Sequence, residues 1–75
     1  MVIGSKVKLL VETDNEIYSY QIPPQGSIGI IKELGTQQML KQLFDISVPF
    51  HLVEFETGEE VSIYEHDLKM VFEKS

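Results

Sequence analysis

The sequence predicts an all-β fold, a small five-stranded antiparallel barrel with a short helical insert around residues 36–45. Three observations carry that prediction. Short segments alternate apolar and polar residues with period two, the signature of half-buried strands. Turn signals separate them at close intervals: Asp14-Asn15, the run Pro23-Pro24-Gln25-Gly26, and Thr57-Gly58. The chain has 75 residues with no repeat or linker, so residues 1–75 read as one domain. A chain of that length buries only about 60% of its unfolded surface. Closing its sheet into a barrel hides strand edges that so thin a core leaves exposed.

The elements follow in order. In "SKVKLLVE", Val7, Leu9 and Val11 alternate with Lys6, Lys8 and Glu12, which gives the first strand; Leu10 breaks the pattern and calls for cover from a loop. "IYSYQI" sets Tyr18, Tyr20 and Ile22 against Ile17, Ser19 and Gln21, as a short strand or an irregular arm. Pro23 and Pro24 have no ladder donor and end it. "GSIGIIKEL" is a strand carrying Ile28 and Ile30, in which Gly29 marks a bulge, a bend or the close approach of another backbone. Thr36 is a candidate N-cap, and "QQMLKQLF" puts Met39, Leu40, Leu43 and Phe44 at helical spacing among good helix formers. One or two helical turns are expected there, docked on the barrel because so short a helix is marginal alone. "DISVP" reads as loop. "FHLVEFE" and "EEVSIYE" flank Thr57-Gly58 as a hairpin, with Val53 and Phe55 facing one way and Val61 and Ile63 alternating in the partner strand. "HDL" is a single turn of 3₁₀ type, with Leu68 plugging the barrel end, and "KMVFE" is the last strand.

This order of elements resembles the SH3-like barrel, in particular the small bacterial barrels of the photosystem I subunit IV type. The residues that carry the resemblance are "GSKVKLL", "GSIGII", "VEFETGEEVSIY" and "HDLKMV". "GSIGII" is also similar to the Gly-x-Val/Ile step of KOW barrels. The chain departs from RNA-binding KOW barrels in its acidic charge, from the minimal barrel pattern in its insert, and from signalling SH3 domains in having no Trp for a proline-rich-peptide floor. The resemblance implies a barrel, and a fold does not by itself assign a function.

Composition excludes several functions. Twelve acidic residues face six lysines and no arginine, a formal charge of −6. Arginine is the preferred residue for bidentate phosphate and guanine contacts, so nucleic acid and anionic membranes are not expected partners. No window holds the ~20 apolar residues of a membrane span, and cysteine is absent; a cytoplasmic protein is expected. Without cysteine there is no thiolate chemistry, no Gly-x-Ser-x-Gly elbow is present, and "GSIG" lacks the lysine of a phosphate loop. Glu65, His66 and Asp67 are consecutive, so their side chains diverge rather than converge on a metal. A non-enzyme with no cofactor and no metal is expected.

Two groups of residues are candidates for binding a protein. The aromatic set Tyr18, Tyr20, Phe50 and Tyr64, with Met39, Leu43 and Phe44 of the insert, suits an interface because aromatic side chains bury much area at low entropy cost. The acidic hairpin carries Glu54, Glu56, Glu59 and Glu60. Two readings follow. The first is a non-catalytic protein-interaction module, a small accessory or regulatory factor of bacterial or phage origin. The second is an acidic phage or mobile-element inhibitor that mimics nucleic-acid charge and blocks a nucleic-acid-binding enzyme. A KOW-type RNA-binding role is disfavoured by the charge.

Overall fold

A computed structural model describes residues 1–41 and 44–72, and the side chains of those residues outside 38–46. Among the described residues, six antiparallel strands form the sheet: β1 (Lys6–Leu9), β2 (Ile28–Glu33), β3 (Thr36–Lys41), β4 (Phe44–Phe55), β5 (Glu60–Tyr64) and β6 (Leu68–Met70). A 3₁₀ turn, Glu65–Asp67, joins β5 to β6. Five strands make a curled half-barrel: β5, the second half of β4, β2, β1 and β6, in that order. This all-β half-barrel is consistent with an SH3-like barrel. Among the described residues, no helix is long and apolar enough to cross a membrane.

Period two sets what is buried. Val7 and Leu9 of β1, Ile31 of β2, Val53 and Phe55 of β4, and Ile63 of β5 point inward as the core, and Leu68 closes one end. The Thr57-Gly58 turn is as expected: Gly58 takes a positive φ of 92°, and the Phe55 N–H donates to the Glu59 carbonyl at 2.8 Å. Gly29 answers the question its position raised. A Cβ there would lie 2.7 Å from Val53 Cγ1 and 2.9 Å from the Glu54 carbonyl oxygen, so β2 and β4 approach closely because the residue has no side chain.

The helical insert expected around residues 36–45 is corrected by the structure. Thr36–Lys41 is strand β3, and Phe44 begins β4; the two pair from Thr36↔Pro49 to Lys41↔Phe44. The helix-favouring residues lose for two reasons. Two isolated helical turns fix many dihedrals for few hydrogen bonds. The segment after them, with β-branched Ile46 and Val48, offers a full ladder instead. "DISVP" is accordingly strand, not loop.

β4 is therefore twelve residues long, about 40 Å at strand rise. Its first half pairs with β3 as a ribbon, and its second half pairs with β2 and β5. Pro49, which cannot donate, sits at the changeover, and the next residue's N–H, that of Phe50, donates to the Gly35 carbonyl at 2.9 Å. Gly35 also donates to Nδ1 of the buried His51 at 3.3 Å, which leaves the ring proton of the neutral imidazole on Nε2.

Gly29→Ala forces the new methyl against backbone as well as side chains. We expect a loss of roughly 1–3 kcal/mol in chemical denaturation. Unchanged stability would contradict the close approach of β2 and β4.

Candidate functional site

The long connection between β1 and β2, residues 10–27, carries "IYSYQI" as an irregular arm rather than a strand. Asn15 shapes its bend. Its side-chain carbonyl accepts from the N–H groups of Ile17 at 2.8 Å and Tyr18 at 3.0 Å, the local turn that asparagine favours. Ile22 and Pro23 anchor the arm's far end in the core. Gly26 closes it at φ 92° and donates to the Leu9 carbonyl.

The arm lies across the free edge of β5. The pair Phe55 and Glu59 is hydrogen-bonded, so alternate residues Glu60, Ser62 and Tyr64 turn their backbone groups away from β4. Two tyrosine hydroxyls meet that edge. Tyr18 accepts from the Tyr64 N–H at 2.9 Å and donates to Asp67 Oδ2 at 2.7 Å. Tyr20 donates to the Ser62 carbonyl. The rings then pack in series: Tyr18 lies tilted 5.7 Å from both Tyr20 and Tyr64, Phe50 lies tilted 4.7 Å from Tyr64, and His66 stacks flat on Tyr64 at 5.3 Å.

The three tyrosines thus differ in role. Tyr18 and Tyr64 are buried, 9% and 7% exposed, and they position others; Tyr20, 42% exposed, is the one a partner can touch. Tyr20, Phe50, Leu52, Val61, Ser62 and Glu60 line a hollow of about 380 Å³ on the β4–β5 face. A smaller one beside it adds Ile17 and Gln37, so the base of the ribbon adjoins the same face. Met39 and Phe44 lie on β3 and β4, with side chains outside the described set, and Leu43 lies outside the described residues.

The acidic residues divide. Glu54 lies 3.5 Å from Lys32 and directly opposite Glu60 across the strand pair. Glu56 and Glu59 flank the hairpin turn, exposed. Only Glu60 borders the aromatic hollow. A larger hollow, about 580 Å³, opens among Lys6, Ile28, Ile30, Glu54 and Glu56, but its one aromatic wall, Phe55, is a core residue. The aromatic and acidic features, separate in sequence, meet at Tyr20 and Glu60. Sequence reasoning missed Leu52 as part of this wall. Strand parity contained the signal: with Val53 and Phe55 inward, Phe50 and Leu52 must share the outer face.

His51 and His66 do not meet. His51 points inward, with Nε2 3.5 Å from Glu65 Oε1, while His66 stands outside on Tyr64. Asp67 accepts the Tyr18 hydroxyl at its side chain, and its backbone carbonyl accepts from the Leu10 N–H at 2.8 Å. No protein-family model, curated protein or solved structure matches this chain.

Burial raises the pKa of Tyr18 well above the ordinary phenol value, and the Asp67 carboxylate adds to that; the Tyr64 N–H, which favours phenolate, opposes it. The pKa of Tyr20 is raised as well, by burial first and then by Tyr64. A folded-state pKa above the unfolded one gives stability that is complete below about pH 10 and lost as pH rises from there toward the folded value. We expect alkaline unfolding to begin near pH 10, with Tyr18 contributing a slope of up to about 1.4 kcal/mol per pH unit. Tyr18→Phe should lower stability at neutral pH by about 2–4 kcal/mol, by unpairing the Tyr64 N–H and Asp67, and should flatten the alkaline slope. An unchanged alkaline slope in that variant would sink this account.

Proposed function

We propose that this chain is a non-catalytic protein-interaction module, an accessory or regulatory factor whose contact surface is the outer β4–β5 face. The observation that carries this reading is the placement of Tyr20. It is half exposed, yet its hydroxyl is fixed to Ser62 and its ring packs on Tyr18. An aromatic side chain held in one position on the surface loses little entropy when a partner covers it. Phe50 and Leu52 continue the same surface, and Ile17 extends it at 57% exposure. The two histidines support a non-catalytic reading, since one serves the ribbon base and the other stacks on Tyr64.

The acidic-mimic reading draws on Glu56, Glu59 and Glu60, but Lys32 offsets Glu54. Salt separates the two. Charge mimicry weakens steeply with ionic strength, whereas an aromatic and aliphatic contact persists. We expect the immobilised protein to retain a partner from cell lysate at high salt. Tyr20→Ala combined with Leu52→Ser should lose it, and Ile30→Ser, on a different part of the surface, should keep it. Capture confined to low salt and abolished by Glu56→Gln with Glu59→Gln would overturn this reading in favour of mimicry.

A further inference from the structure

Glu54 and Glu60 face each other directly across β4 and β5, an arrangement that disfavours the strand pair. Lys32 answers only Glu54, and among the described residues Glu60 has no cationic partner. Glu60 nevertheless borders an apolar hollow whose other walls are Tyr20, Phe50, Leu52, Val61 and Ser62. A carboxylate beside an aromatic ring and an aliphatic floor is what a long cationic side chain needs: a surface for its stem, a ring face and a counter-charge for its head.

Strand addition is a poor way to use this site. The outward Ser62 carbonyl and Tyr64 N–H, which an added strand would need, are already taken by Tyr20 and Tyr18. Recognition therefore falls to side chains laid on the face. Between the two cations, arginine fits better. Its flat guanidinium stacks on a ring while donating two parallel hydrogen bonds to a carboxylate, and it is more weakly hydrated than an ammonium group. The chain itself contains no arginine, and its charge of −6 attracts a basic partner.

We infer that the Tyr20–Glu60 hollow is an arginine-binding subsite, and that the partner is a protein presenting an exposed arginine on a basic segment. This rests on the β4–β5 face being the contact surface. The test uses a fluorescein-labelled peptide with arginine at alternate positions, and its twin with citrulline, which keeps the shape and removes the charge. Affinity is read by anisotropy, and the site by amide shifts of the isotope-labelled protein. The arginine peptide should shift Tyr20, Leu52 and Ser62. Citrulline should weaken binding about tenfold, and Glu60→Gln should weaken the arginine peptide about fivefold or more while leaving the citrulline peptide unchanged. Glu59→Gln, one residue away in the turn, should have little effect.

Equal binding of both peptides at the groove would overturn the arginine subsite and leave the contact surface standing. Equal effects of Glu59→Gln and Glu60→Gln would show diffuse attraction to the acidic hairpin and overturn it too. Absence of groove shifts at millimolar arginine peptide would overturn it as well, and the Tyr20 and Leu52 capture experiment would still decide the contact surface independently.

Discussion

The Tyr18 hydroxyl holds the half-barrel's open side together. It accepts the Tyr64 N–H and donates to the Asp67 carboxylate, so one oxygen joins the β1–β2 arm, the end of β5 and the 3₁₀ turn. Each of these needs the others. The Tyr64 N–H points away from β4 and has no strand to receive it. Asp67 is mostly covered and gains a short charge-assisted bond. The arm, without a ladder of its own, gains a fixed point 49 residues distant in sequence. The arm is thereby tied by a side chain to the free edge of β5 and to the turn that follows it. The same placement presents Tyr20 at the surface and seats Phe50 and Tyr64 against the arm, so the candidate site follows from the clasp.

A second constraint acts at the other end. β4 belongs to the ribbon for half its length and to the half-barrel for the rest. The junction uses residues that suit a change of partners: Pro49 asks for no acceptor, Gly35 lets the Phe50 carbonyl lie where a Cβ would come to 3.0 Å, and His51 takes the Gly35 N–H from inside. Because the ribbon starts beside Gln37 and Phe50, its base borders the groove.

Much of this was legible in the residues. Alternation locates β1, β2 and β5, Thr57-Gly58 locates the hairpin, and "HDL" locates a 3₁₀ turn that the structure sets one residue earlier, at Glu65–Asp67, with Leu68 opening a last strand that ends at Met70. These features are local, and local rules reach them. The ribbon is not legible in this way, because helix propensity and strand pairing compete over residues 36–45 and the winner depends on a partner strand that periodicity in a short window does not reveal. The tyrosines were recognised as a group, yet their division of labour was not visible. Which one is buried depends on Asp67 and Tyr64, far along the chain, and on the parity of β5. The meeting of Tyr20 with Glu60 has the same origin: it is a product of register, and register is fixed only when both strands are in place.

The most direct measurement is amide hydrogen exchange by NMR at neutral pH on the wild type and on Tyr18→Phe. Tyr64 and Ser62 lie on the same free edge of β5, but only the Tyr64 N–H is received, by Tyr18. The account predicts a protected Tyr64 amide beside a fast-exchanging Ser62 amide in the wild type. In the variant, Tyr64 protection should fall to the level of Ser62 while the β1–β2 amides exchange as before. Equal exchange of the two amides in the wild type, or a Tyr64 amide that stays protected without the hydroxyl, would contradict the clasp and with it the basis for placing Tyr20 at the surface.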